Sequence, residues 1–277
     1  MSEPTVDRPQ FAVSASICGQ TEVGPTRVQN QDAIMVAGAV SATTGTRLSW
    51  SGAVTQDGVV AGVVDGMGGH AGGSDAAGLA ALALAGADAH PRDWDTWFEA
   101  LSARILAAGR AWGTPDMGAA AALIVLTGDE LQMANVGDCR IYRVAGGHLG
   151  QISVDDRTGD PNSSVLTQAL GGSRKMDAHG WRQPYKGGQE RYVLCSDGVW
   201  ETLDQAVLRD LCTAARPPDQ IVDAITASIY SQNASDNCSV IIVDLVATPA
   251  TPETSALEQE TRRVDVEAIP RANRRIP

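Results

Sequence analysis

Five aspartates stand where an apolar run ends beside glycine, serine or asparagine: Asp32 in RVQNQD, Asp65 in VVDG, Asp138 in NVGDCR, Asp197 in LCSDG and Asp236 in ASDN. One such residue is an ordinary cap or turn former. Five of them, if the strand edges converge, make an acidic cluster that repels itself, because burial and like charge both disfavour the ionised carboxylate. Divalent cations remove that repulsion. An all-oxygen ligand set favours Mg2+ or Mn2+ over zinc. The stretch VVDGMGGHAGGSD, residues 63–75, offers a rival chemistry. Gly66, Gly68 and Ala71 match the G-x-G-x-x-A form of the dinucleotide fingerprint, with Asp88 near the place of a ribose-binding acid. Asp65, however, would set a carboxylate against an incoming pyrophosphate, where that turn must present backbone N–H groups and a helix N-terminus. Asp88 also falls in an alanine-rich helical segment instead of at the end of a second parallel strand. A nucleotide-dependent oxidoreductase is therefore set aside. The carboxylate suits a cation, and the glycines let the backbone come close to it.

The elements that must carry these residues read as follows. FAVSASICG (11–19), DAIMVAGAV (32–40) and GVVAGVVD (58–65) are short apolar or alternating runs, predicting antiparallel strands, with 41–57 as a connecting loop or hairpin extension. Ser74 is the expected N-cap of a helix reaching about residue 89. In the next helix Trp94, Trp97, Phe98, Leu101, Ile105, Ala108 and Trp112 recur at helical spacing, which predicts a core-facing stripe and no ligand cage. The runs 119–126, 130–137, 139–145 and 148–154 read as a meander, 192–197 and 238–245 as further strands, and 203–215 and 218–231 as helices. Two runs of strands, each followed by a pair of helices, predict an α+β protein with two sheets covered on the outside by helices. From about Thr248 the composition turns to TPATPETS and mixed charge without apolar periodicity, so 248–277 is expected to be a disordered C-terminal tail.

Composition narrows the partners. With 277 residues and 43% hydrophobic content, the chain can build a sizeable core. A formal net charge of −12 argues against nucleic acid or an anionic membrane as partner. A phosphate must then be met locally, by a cation or by one placed arginine. Cys18, Cys139, Cys195, Cys212 and Cys238 are odd in number and form no C-x-x-C pair, which predicts buried reduced thiols instead of a disulfide framework or zinc cluster. There is no charged-then-apolar leader and no apolar run of membrane-spanning length, so a cytoplasmic location is expected.

In chain order, R-x-x-N-Q-D, D-G-M-G-G-H, N-V-G-D-C-R, S-D-G and D-N resemble the metal-dependent serine/threonine protein phosphatase family (PPM, type 2C) in its bacterial form, over roughly residues 10 to 247. The resemblance implies a four-layer α-β-β-α sandwich of two antiparallel sheets in a domain spanning 1–247, with a binuclear metal site at one end. It implies that Asp65 bridges two ions, Mn2+ or Mg2+, that the Gly66 carbonyl adds a ligand to one, and that Asp197 and Asp236 complete the other. Asp32 would act through water, Arg27 would grip the phosphate, and Asp138 would hold the third, weaker ion of bacterial members. The implied reaction is attack of a metal-bridging water on phosphoserine or phosphothreonine, with phosphorylated proteins as substrates, a cognate protein kinase as counterpart, and a monomeric enzyme. Departures from the pattern are Gln31 in place of a glutamate, Asp155-Asp156-Arg157-Thr158 in place of D-H-S/T, Gly118-Ala119-Ala120 in place of G-T-T, Met67 where eukaryotic relatives carry a histidine, and a shortened flap of about eight residues at 159–166. His70 is the outside candidate for a proton donor. These departures motivate the alternative of a pseudophosphatase used as a binding or regulatory module.

Overall fold

Strand β1 (Phe11–Glu22) sends Val13, Ala15 and Ile17 into the centre of the molecule and Cys18 to the opposite face, the period-two alternation of a pleated strand. The computed structural model describes residues 11–86, 93–159, 165–250 and 264–268, with 69–71 and 264–268 described through their backbone. Beside β1 lie β4 (Thr46–Ala53), β8 (Arg140–Ala145), β9 (His148–Gln151), β11 (Gly188–Cys195), β12 (Cys238–Pro249) and β13 (Val264–Ala268) in a seven-stranded sheet of order β13-β4-β1-β12-β11-β8-β9. The six-stranded sheet contains β2 (Asp32–Val36), β3 (Ala39–Ser41), β5 (Val59–Met67), β6 (Gly118–Leu126), β7 (Glu130–Val136) and β10 (His179–Pro184), in the order β10-β7-β6-β5-β2-β3. Neighbouring strands pair antiparallel throughout.

Three apolar layers hold these sheets. Ile17, Trp50, Tyr192 and Ile241 from one sheet meet Ile34, Val63 and Ile124 from the other. On the outer face of the six-stranded sheet, Met35, Val64 and Leu123 pack under α1 (Gly69–Ala85) and α2 (Trp94–Trp112) through Ala77, Ala80, Leu84, Phe98 and Ile105. On the outer face of the seven-stranded sheet, Val193 and Ile242 pack under α4 (Gln205–Cys212) and α5 (Pro218–Ser231) through Leu208, Ile221 and Ile225. The result is the expected α-β-β-α sandwich. Because both faces of the central strands are covered, β6 reads GAAAALIVL with every residue buried, a continuous run instead of an alternation. Each fully buried Leu, Ile or Val contributes about 1.5–3 kcal/mol through burial of apolar surface. All five cysteines are free and buried, as their spacing predicts. Among the described residues no helix is long and apolar enough to cross a membrane.

Several expectations are corrected. The segment 41–57 holds β4, whose Leu48 and Trp50 face the inter-sheet core while Arg47 and Ser49 do not, so R-L-S-W-S is a half-buried strand between β13 and β1. The meander is divided: β6 and β7 belong to one sheet and β8 and β9 to the other. Residues 137–139 are therefore a crossing between sheets. β10, too polar to be read as a strand, pairs with β7 at the sheet edge. Helix α1 starts at Gly69 after Gly68, which is left-handed at φ 116°, and Ser74 lies inside the helix accepting a bond from Gln29 Nε2 at 3.0 Å. The same helix ends at Ala85, and Asp88 lies outside the described residues. In α2 the stripe holds at Trp94, Phe98, Leu101 and Ile105, but Trp112 is 54% exposed. Of the segment expected to be disordered, 248–249 finish β12, and 264–268, where V-D-V-E-A alternates, pair with the otherwise open edge of β4.

Candidate functional site

The fold brings the ends of β2, β5, β7, β11 and α5 to one end of the sandwich, and the five aspartates come with them. A cavity of about 310 Å3 there is lined by Arg27, Gln31, Asp65, Gly66, Met67, Gly68, Ala120, Asp138, Leu166, Asp197, Asp236 and Asn237. Asp65 sits on β5 opposite Asp32, the first residue of β2, in the same antiparallel register. Asp32 is not in the cavity wall; it is 1% exposed behind it, with Oδ2 accepting from Ser196 Oγ at 2.7 Å. Asp138 occupies the crossing turn after β7, Asp197 opens the short helix α3 (Asp197–Trp200), and Asp236 precedes β12.

Backbone contacts explain the glycines. A Cβ on Gly66 would stand 2.0 Å from the Gly73 carbonyl oxygen and 2.7 Å from that of Gln31, and one on Gly68 would stand 2.6 Å from the Asp116 carbonyl. These three segments can close around the cavity only without side chains there. Gly66→Ala is accordingly expected to lower stability by about 1–3 kcal/mol, the range for overpacking, read as a reduced midpoint in urea denaturation. An unchanged midpoint would show that the backbone shifts freely at this position.

The electrostatics are those of an acidic cluster with more carboxylates than cations to answer them. Burial first, then the charges of Asp32, Asp197, Asp138 and Asp236, hold the Asp65 carboxyl well above the usual carboxylate range. Burial, followed by the Asp236 charge, raises Asp197 as well. Asp138 is pushed up to about 7 by burial and then by Asp197, against the lowering effect of Arg157. Asp32 is raised by burial against the opposing bonds from Ser196 and Ser239, with Asp197 and Asp236 adding to the rise. Two buried carboxylate oxygens, Asp32 Oδ1 and Asp197 Oδ1, have no hydrogen-bond partner. Such orphaned acceptors cost free energy unless something positive meets them. Four carboxylates against one guanidinium in the cavity wall, with a backbone glycine beside them, match the donor set of a hard divalent cation. Among the described residues no three such side chains already converge as the ligand shell of a single ion.

Arg27 shows why. Its Nη2 lies 2.6 Å from Asp236 Oδ2, and its Nε donates to the Ser235 carbonyl at 3.1 Å. The residue expected to grip phosphate and a residue expected to hold metal are thus paired with each other, at side-chain exposures of 48% and 35%. The His70 side chain, like residues 160–164 of the shortened flap, lies outside what is described.

Three residues to which the sequence reading gave no role complete the arrangement. Asn237 accepts from the Gln31 backbone N at 2.9 Å and donates to the carbonyls of Val23 and Gln29, tying the loop that carries Arg27 to the start of β12. Ser196 joins Asp32 to the Ser239 backbone N. Arg157 lies 3.2 Å from Asp138 through Nε and 2.7 Å from Glu201 through Nη1. The motifs S-D-G and D-N already contained the first two, and only long-range contacts assign them these bonds.

No protein-family model matches the chain. The serine/threonine phosphatase stp of Listeria welshimeri is 24% identical over 209 residues, covering 66% of this chain and 82% of the relative. The serine/threonine protein phosphatase PstP of Mycobacterium tuberculosis is 28% identical over 212 residues, 66% of this chain and 40% of the relative. Among solved structures, the catalytic domain of serine threonine protein phosphatase PstP in complex with two manganese ions superposes with a TM-score of 0.64 at 22% identity, covering 84% of this chain and 99% of that one.

Proposed function

We infer that this chain, a member of the bacterial metal-dependent serine/threonine protein phosphatase family of the PPM (type 2C) kind, removes phosphate from phosphoserine and phosphothreonine at the acidic cavity. The observation that carries the site is the set of strand-edge aspartates around one cavity, two of them with a buried carboxylate oxygen left unpaired or aimed without a donor. Two divalent cations, Mn2+ or Mg2+, would be held by Asp65, the Gly66 carbonyl, Asp197 and Asp236, with Asp32 behind them. When bound they supply Lewis-acid activation of water and neutralise charge on the phosphoryl group.

The chain's own residues do the rest. Arg27 is the cation of the cavity wall able to grip two phosphoryl oxygens with its planar fork. Its exposed pair with Asp236 is worth only about 0.2–1 kcal/mol, so exchanging that carboxylate for a phosphate costs little. Asn237 holds the 23–31 loop and so sets where the guanidinium can reach. Ser196 fixes one oxygen of Asp32 and leaves the other free to accept a proton or a water. Met67 lines the wall where a histidine would offer an acid, so no imidazole among the described lining residues protonates the leaving alkoxide. Substrates would be phosphorylated proteins in cytoplasmic signalling, opposed by a protein kinase.

The test is release of phosphate from a phosphothreonine peptide. Mn2+ should support it, exhaustive chelation should abolish it, and added metal should restore it. Activity surviving chelation would overturn the metal-dependent reading, and no release with any divalent ion would favour a binding module.

A further inference from the structure

The two arginine–aspartate pairs of the site differ in a way that decides how many ions it takes. The Arg27–Asp236 pair is half exposed and held by one ion-pair contact and one backbone bond. The Arg157–Asp138 pair is nearly closed, with side chains 19% and 6% exposed. Arg157 is anchored twice more, to Glu201 and against the Trp200 ring, whose centroid lies 5.1 Å from its guanidinium carbon. Trp200 is itself fixed: Arg140 stacks 3.4 Å over its ring, Arg140 is clamped by Asp155, and the indole Nε1 donates to the Asp138 carbonyl at 3.1 Å. The carbonyl oxygen of Asp138 and its carboxylate Oδ2 are therefore both engaged by this cluster.

Arg157 Nε is buried and lies 3.2 Å from Asp138 Oδ2 without the alignment of a hydrogen bond, so it acts there as a fixed charge. A divalent ion on that oxygen would need to sit at about 2.0–2.6 Å and would face the guanidinium across a poorly solvated gap. Like charges there repel strongly, and freeing the oxygen means breaking three contacts of Arg157 at once. Removing one member of a buried pair is far costlier than opening an exposed one.

Building on the phosphatase reading above, we propose that Arg157 is a permanent cation standing in for a third divalent ion at Asp138, so that the active site takes two ions and no third. The carboxylate then has a positive partner from the chain itself at any metal concentration. Asp138 and Arg157 act as positioning residues, holding Trp200 and the start of α3, on which Asp197 lies.

Mn2+ binding to the intact protein, counted by electron paramagnetic resonance of free ion up to millimolar concentration, tests this without reference to activity. Wild type and Asp138→Asn should each bind two ions, the number of a binuclear site. Arg157→Gln should gain a third, weaker one, and Arg157→Lys, which keeps the charge, should return to two. Three ions in wild type, or loss of one ion in Asp138→Asn, would overturn the proposal. So would two ions in an Arg157→Gln protein whose circular dichroism is native, and should that variant not fold, the wild-type and Asp138→Asn counts still decide. Absence of any bound ion would instead remove the metal-dependent reading on which the proposal rests.

Discussion

Asp65→Asn is expected to lower kcat by about 10³-fold while raising the melting temperature of the metal-free protein. The rate effect follows, on the proposed reading, from losing a carboxylate that would hold the divalent ions, whose charge stabilisation is worth several kcal/mol, at tenfold per about 1.4 kcal/mol. The stability effect has the opposite sign because Asp65 is held well above the ordinary carboxylate range by burial and four neighbouring aspartates. A carboxyl raised in this way stabilises the fold below its unfolded value and loses that contribution as pH rises through its folded value. As pH rises above the unfolded value the metal-free wild type progressively loses it, whereas asparagine, neutral at every pH, has no such loss. The difference should shrink toward pH 4. Adding Mn2+ should reverse the order, since the native wild type gains binding free energy that the variant lacks. Calorimetric melts with chelator and with Mn2+, beside the rate assay, check all three outcomes. A near-normal rate, or a metal-free variant that melts lower than wild type, would sink the assignment.

Arg27→Ala is expected to reduce kcat/KM by about 10–150-fold, the worth of one charge-assisted contact of about 1.5–3 kcal/mol, without weakening Mn2+ binding. Because Arg27 is paired with Asp236 in the absence of ions, its removal should leave Mn2+ affinity unchanged or raise it by up to about fivefold, the limit for an exposed pair of about 1 kcal/mol. Arg27→Lys should restore charge but little of the rate, because an ammonium cannot span two phosphoryl oxygens as the guanidinium fork does. Titration calorimetry with Mn2+ and steady-state kinetics on a phosphothreonine peptide separate these effects. Lost metal binding in Arg27→Ala would place the residue in support of Asp236 and away from the phosphate.

The composition of the cavity was legible before any fold. Asp65 and Gly66 announce a cation by putting a carboxylate where a nucleotide turn could not bear one, and the order of five short motifs carries the resemblance. Strand positions from β1 to β12 were largely legible too, because apolar runs between glycine-rich turns depend on local pattern alone. β4 and β10 were not. Their residues are polar on the faces that matter least, and such a strand is decided by the neighbours it pairs with, which are distant in sequence. Gly68, Gly72 and Gly73 looked like a loop before a helix capped by Ser74; the place of Gly68 as the cap of α1, and of Gly72 and Gly73 inside its first turns, is decided by how closely 65–68 must approach 73 and 116.

Sequence alone determined that acidic oxygens, one arginine and close-approaching glycines occupy this chain in an order matching a phosphatase, since residue type and spacing settle donor chemistry. Tertiary structure decided which charges answer which. The exchangeable pairing of Arg27 with Asp236, the closed pairing of Arg157 with Asp138, and the burial of Asp32 behind the wall all depend on distance and solvent exposure. The strength of a charge interaction is set by those two quantities, and neither is written in the local order of residues.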